Sequence, residues 1–190
     1  MSIVNVNAKE LHLKISYFGA KGVGKKSSLK SILDFCIPQK ITWMCLPFKE
    51  PIYGIIIHLG QILNLQTYFH IYHINNESKE DNKILIKGSD GYIFVASLDL
   101  KDKDKNHEAF LEMEQLLLEQ GQNLLKTPLV LQYHKKDLKK KMSLNQMRMD
   151  FNKYNFKDFQ TSHLKNSSVI KPLKCILKLT LSQITQKTHF

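Results

Sequence analysis

Residues 19–27 read Gly19-Ala20-Lys21-Gly22-Val23-Gly24-Lys25-Lys26-Ser27, a phosphate-binding loop that leaves its pattern at one position. Gly19, Gly24 and Lys25 satisfy Gly-x-x-x-x-Gly-Lys, and Lys26 then stands where a Ser or Thr hydroxyl would ligate Mg²⁺. The glycines let successive backbone N–H groups converge on a phosphate, and Lys25 adds a point charge on its oxygens. A protonated Lys26 has no lone pair to offer a metal. The flanks fit the loop. Before it, Leu11 to Phe18 alternates apolar and polar residues as a half-buried strand does. After it, Leu29, Ile32 and Leu33 share one face of a helix expected from Ser27 to Phe35. Strand, Gly-rich loop and helix N-terminus in that order bind anions, because the first N–H groups of a helix have no partner within it.

A length of 190 residues fits one domain spanning the whole chain, with a core large enough to need no staples. Hydrophobic content of 43% and charged content of 24% are ordinary for a water-soluble globule. Cys36, Cys45 and Cys175 are odd in number and lack ligand spacing, so they read as reduced thiols of a cytoplasmic protein. No leader, lipid-anchor signature or apolar run of membrane-spanning length is present. The net charge of +11 invites a nucleic-acid reading. Against it, the one dense basic run, Lys135, Lys136, Lys139, Lys140 and Lys141, has no interleaved aromatic, and no nucleic-acid-binding signature accompanies it. A solvated loop explains that run, and an acidic partner or a peripheral anionic membrane surface stays open.

The rest of the chain alternates strands with helices. Ile37 to Glu50, with Pro38 and Pro47, reads as an irregular loop. Ile52 to Leu59 and Leu65 to Ile74 read as two strands of a hairpin turning near Gly60-Gln61, and Asn75 to Asn82 as a polar loop. Tyr92 to Ala96 and Leu129 to Tyr133 are apolar runs expected of strands buried on both faces. Asp102 to Asp104 opens a helix with Phe110, Met113 and Leu117 on one stripe, ending at Gly121. Ser143 and Gln146 form a capping box for another, Phe156 to Thr161 is a weak strand, and Val169 to Ile184 is a final helix. The expectation is an α/β fold of three layers. About six mostly parallel strands, one of them antiparallel, lie between helices on both faces, with the Gly-rich loop at the strand C-termini.

Element order and motif strings together resemble a Ras-like G domain, and specifically the MglA-type small GTPases of gliding motility and cell polarity. Thr67 to Tyr72 is similar to that family's T-R-F-H-L-Y, Lys83 to Ala96 to its K-L-I-L-K-G-V-D-G-V-V-F-V-A, and Gln132 to Leu138 to its Q-Y-N-K-R-D-L. The resemblance implies guanine-nucleotide binding and a regulatory or scaffold protein partner, such as a dimeric roadblock-type activator.

Against that pattern the chain departs at the catalytic positions. Lys26 replaces the metal ligand, and Lys21 stands where the family carries a Gly beside the γ-phosphate. The segment corresponding to T-V-P-G-Q reads His73-Ile74-Asn75-Asn76-Glu77, so the water-orienting Gln becomes an anion. No Thr lies between Pro47 and Gly60 to serve the metal, and Thr161 to Lys165 departs from A-V-A-P-T. His134 replaces the Asn of N-K-x-D, while Asp137, the acceptor for the guanine edge, remains. A charged hydrogen bond from Asp137 to guanine is worth roughly 1.5–3 kcal/mol, and losing the Asn costs about 1–3 kcal/mol. Those terms weaken binding without abolishing it, whereas hydrolysis lacks both its metal and its water.

The residues left to hold GTP or GDP are Gly19, Lys21, Gly22, Gly24, Lys25, Lys26, Ser27, His134, Lys135 and Asp137, with no catalytic residue and no Mg²⁺ ligand among them. His70 and His73 fall on opposite faces of one strand and cannot share a zinc ion. Three functions follow from these residues: a non-hydrolysing interaction module, a GTP switch with unorthodox motifs, or a nucleotide-free basic scaffold.

Overall fold

Hydrophobic alternation and buried apolar runs assemble in a computed structural model into one sheet between two helical layers. The structure describes residues 3–5, 7–35, 41–46, 52–74, 79–164 and 167–188. Cys36, Pro38, Pro47, Asn75, Asn76, Glu77 and Lys165, which figure in the sequence reading, lie outside the described residues. The strands are β1 (Ile3–Asn5), β2 (Glu10–Phe18), β3 (Ile41–Leu46), β4 (Ile52–Ile62), β5 (Leu65–His73), β6 (Gly91–Ser97), β7 (Leu129–His134) and β8 (Lys157–Gln160). The helices are α1 (Lys25–Phe35), α2 (Lys79–Ile86), α3 (Lys103–Glu119), α4 (Leu144–Phe151) and α5 (Ser167–Thr188).

Seven strands run in the order β3-β4-β5-β2-β6-β7-β8, and β1 adds to β2 as an eighth. β5, β2, β6, β7 and β8 are parallel; β4 is antiparallel to β5, β3 to β4, and β1 to β2. Every residue of β6 and β7 is buried, as parallel central strands covered by helices require. On one face of β2, Leu11, Leu13, Ile15 and Tyr17 are buried at 1% exposure or less, in the layer where α1 and α5 pack on one another. On the other face Phe94 meets Phe110 of α3 edge-on and Phe151 of α4.

Four expectations are corrected in detail. β1 and β3 raise the strand count above six. The prolines at positions 38 and 47 made the intervening segment read as a loop, yet Ile41-Thr42-Trp43 between them favours a strand. Second, the polar stretch read as a loop opens α2, where Glu80 and Asp81 complement the positive end of the helix. Third, the hairpin turns at Leu63-Asn64, both in the left-handed region at φ +54° and +63°. Gly60, at φ +80°, instead serves a bulge after His58. Fourth, α1 begins at Lys25, so two of the loop's three lysines, Lys25 and Lys26, lie in its first turn. The capping box is as expected, with Gln146 N–H donating to Ser143 Oγ at 3.2 Å and Ser143 N–H to Gln146 Oε1 at 2.9 Å. Among the described residues no helix is long and apolar enough to cross a membrane.

Asn106 of α3, fully buried, was not visible from sequence. It accepts from Ser97 N–H at 3.1 Å and donates to Ser97 C=O at 2.8 Å, tying the end of β6 to the helix. Asn106→Ala strands both Ser97 groups in a buried setting and should lower unfolding free energy by about 2–4 kcal/mol in denaturant melts. An unchanged midpoint would contradict this tie.

Candidate functional site

β2 delivers the chain at Phe18 into the loop, and α1 receives it at Lys25. Two glycines are required by close approach. A Cβ on Gly19, at φ +145°, would stand 2.1 Å from Val95 O. One on Gly24, at φ +112°, would stand 2.1 Å from His134 Cδ2. Gly22 meets no such neighbour, and its φ of +81° alone explains the residue. The first intrahelical bond runs from Ser28 N–H to Gly24 C=O at 2.9 Å, which leaves the preceding N–H groups pointing out of the helix end. This is a cradle of the shape and polarity that fits a phosphate.

Lys25 is buried, and its Nζ donates to the carbonyls of Gly19 and, at 2.8 Å, of Ala20. Burial pulls its pKa down to about 8, with Glu112 acting in the opposite sense. Lys21, Gly22, Lys26 and Ser27 are exposed on the outer side of the loop and first turn. Lys26 Nζ lies 4.9 Å above the Tyr53 ring, a cation–π contact with the start of β4. Tyr53 stacks between Trp43 of β3 and His73 at the end of β5, at centroid distances of 5.6 and 6.5 Å.

The end of β7 closes the other side. His134 is 2% exposed, its ring lies against Gly24, and its Nδ1 is 2.8 Å from Thr161 Oγ1. At the next residue the chain turns through Lys135, which adopts φ +65°. Lys135 Nζ donates to Asp102 Oδ2 at 2.8 Å. Burial would raise the Asp102 carboxyl, but the hydrogen bonds from Lys135 and Ser97 outweigh it and hold its pKa low. The Ser162 hydroxyl donates to Asp137 and holds that carboxyl below the usual range. Asp137 is thus linked to the loop through Ser162, its neighbour Thr161, and His134. A second tie runs deeper, from Gln132 Nε2 to Ser28 Oγ at 2.8 Å and on to Gly24 C=O at 2.9 Å.

Sequence reasoning missed Thr161 and Ser162 as supports, and it took His73 as a departure from a pattern and as half of a rejected zinc pair. The inward periodicity Thr67, Phe69, Ile71, His73 was there to be read, and all four are buried. His70 lies on the opposite face, with Nε2 2.9 Å from His12 Nδ1.

Two measurements check this geometry. Gly24→Ala should cost about 1–3 kcal/mol through overpacking, and the penalty should shrink in a His134→Ala background. Equal penalties in both backgrounds would contradict the contact. His70, His73 and His134 are each pulled down to about 4, chiefly by burial. The unfolded chain binds protons near the ordinary value of 6.5 while the folded chain stays neutral to about 4. Stability is therefore full above 6.5 and falls as pH drops toward 4, so Tm should decline between pH 7 and pH 5. A flat Tm over that range would show that these rings are not held neutral.

The chain matches no protein-family model. It is 29% identical over 191 residues to the mutual gliding-motility protein MglA of Myxococcus xanthus (strain DK1622), an alignment covering 97% of this chain and 98% of that protein. Similarity over nearly the full length of both, on a mostly parallel α/β sheet whose first long strand runs into the glycine loop, makes this an MglA-like protein with a Ras-like fold.

Proposed function

We propose that the chain is one G-like domain that binds guanine nucleotide weakly or without Mg²⁺, does not hydrolyse GTP, and serves as a protein-interaction module. In this reading Gly19, Lys21, Gly22, Gly24, Lys25, Lys26 and Ser27 hold the phosphates, and His134, Lys135 and Asp137 border the base. The loop's fit supports it: glycine alone is tolerated at positions 19 and 24, and a helix N-terminus faces the cradle. Similarity to a gliding-motility protein supports a role in motility regulation. Polarity regulation in the cytoplasm, with a regulatory or scaffold partner of roadblock type, is part of the same reading.

One observation carries the non-hydrolysing part. The residue after Lys25 presents an ammonium over Tyr53 in place of a hydroxyl. A cation at that position repels a second cation, so these residues do not fit Mg²⁺. Hydrolysis also asks for an oriented water, and the sequence offers Glu77 for that work, an anion where the family carries a neutral Gln.

Phosphate release from GTP should stay at background for the wild-type protein, with or without a roadblock-type activator. Turnover at rates typical of small GTPases, abolished by Lys25→Ala, would overturn the reading in favour of an active switch. Lys26→Thr should make GDP affinity fall at least severalfold on chelation, while the wild type barely responds to EDTA. A large EDTA response in the wild type would show that another residue holds a metal.

A further inference from the structure

His73 ends β5 on the face that packs against α1, with Tyr17 of β2 as its register partner. It is only 8% exposed, and its Nε2 is buried with no hydrogen-bond partner among the described residues. A buried polar atom left unmade costs stability, so its retention asks for an explanation outside the free fold. The groups that face it are informative. From α1 come the ammonium groups of Lys25 and Lys26, from β4 the phenol of Tyr53, and from β2 the phenol of Tyr17, whose hydroxyl is also buried without a partner. Cations thus gather around a basic nitrogen at the C-terminal ends of two parallel strands, beside the glycine loop.

We propose that His73 is a phosphate-contacting residue. Its Nε2 takes a proton from solvent and donates it in a hydrogen bond to the terminal phosphate of a bound guanine nucleotide. The imidazolium, with Lys25 and Lys26, supplies positive charge where a divalent cation would otherwise neutralise the anion. This rests on the nucleotide-binding reading above. Burial first, and then the two lysines, keep the ring neutral in the free protein, with a pKa near 4. An anion against the same group reverses the second effect and adds a charged hydrogen bond. Binding and protonation are then linked, and affinity rises as pH falls, approaching tenfold per unit between the free and bound pKa values.

The test is calorimetry of GDP binding at pH 7 in EDTA, repeated in buffers of different ionisation enthalpy, for the wild type and for His73→Gln. Lys25 also gains proton occupancy on binding an anion, so the difference between the two proteins is the reading. The wild type should take up more protons than His73→Gln and bind roughly ten- to hundredfold tighter. GMP, which lacks the β-phosphate that His73 would contact in GDP, should show no such excess in the wild type. That comparison stands even if His73→Gln fails to fold. Normal GDP binding with equal proton uptake in both proteins, or equal uptake for GDP and GMP in the wild type, overturns the role of His73 alone. No GDP binding by the wild type overturns the nucleotide reading and this inference with it.

Discussion

A side chain on Gly24 would stand within bonding distance of the His134 ring, so the glycine loop and the end of β7 can meet only as they do. That approach organises the rest of the site. His134 holds Thr161, Ser162 next to it holds Asp137, and Gln132 holds Ser28 beneath the loop. β7 lies between β6 and β8 with every residue buried, so the parts that would border a base and the loop that would hold phosphates are fixed to one rigid strand. The substitution of His for Asn therefore changes a hydrogen-bonding edge without removing the strut.

Charge is the second constraint. Lys25 lies folded on loop carbonyls, Lys26 rests on an aromatic ring, and His73 stays neutral first because it is buried and then because both lysines are near. Glu112 offsets Lys25 only in part, since burial still lowers that lysine. Such an arrangement is held back from its full positive charge by its own repulsion and burial. A phosphate offsets the repulsion and sets a charged hydrogen bond against the burial, which a divalent cation cannot do.

Much of this was legible because it is local. The alternation of β2, the apolar runs of β6 and β7, the loop glycines and the Ser143–Gln146 capping box each depend on residues close in sequence. What was hidden depends on tertiary context. Helix α2 opens on Lys79-Glu80-Asp81-Asn82, a run whose polarity suits both a loop and a first turn. β3 is short and bracketed by prolines, which masked a β-favouring run that pairs with β4. Gly60 carries the positive φ of a turn but spends it on a bulge. For the site, spacing identified the loop and the family resemblance pointed to Asp137, while the partner of His134 and the unpartnered Nε2 of His73 emerge only once separate strands lie side by side.

The central claim is that a cradle built of glycines and cations holds a guanine nucleotide without a metal. It is tested most directly by purifying the protein through EDTA, denaturing it, and identifying the released small molecules by chromatography. The account predicts guanine nucleotide in the denatured supernatant, at a level that Lys25→Ala and Asp137→Ala each reduce. Protein that emerges empty and stays empty after incubation with excess GDP would contradict it.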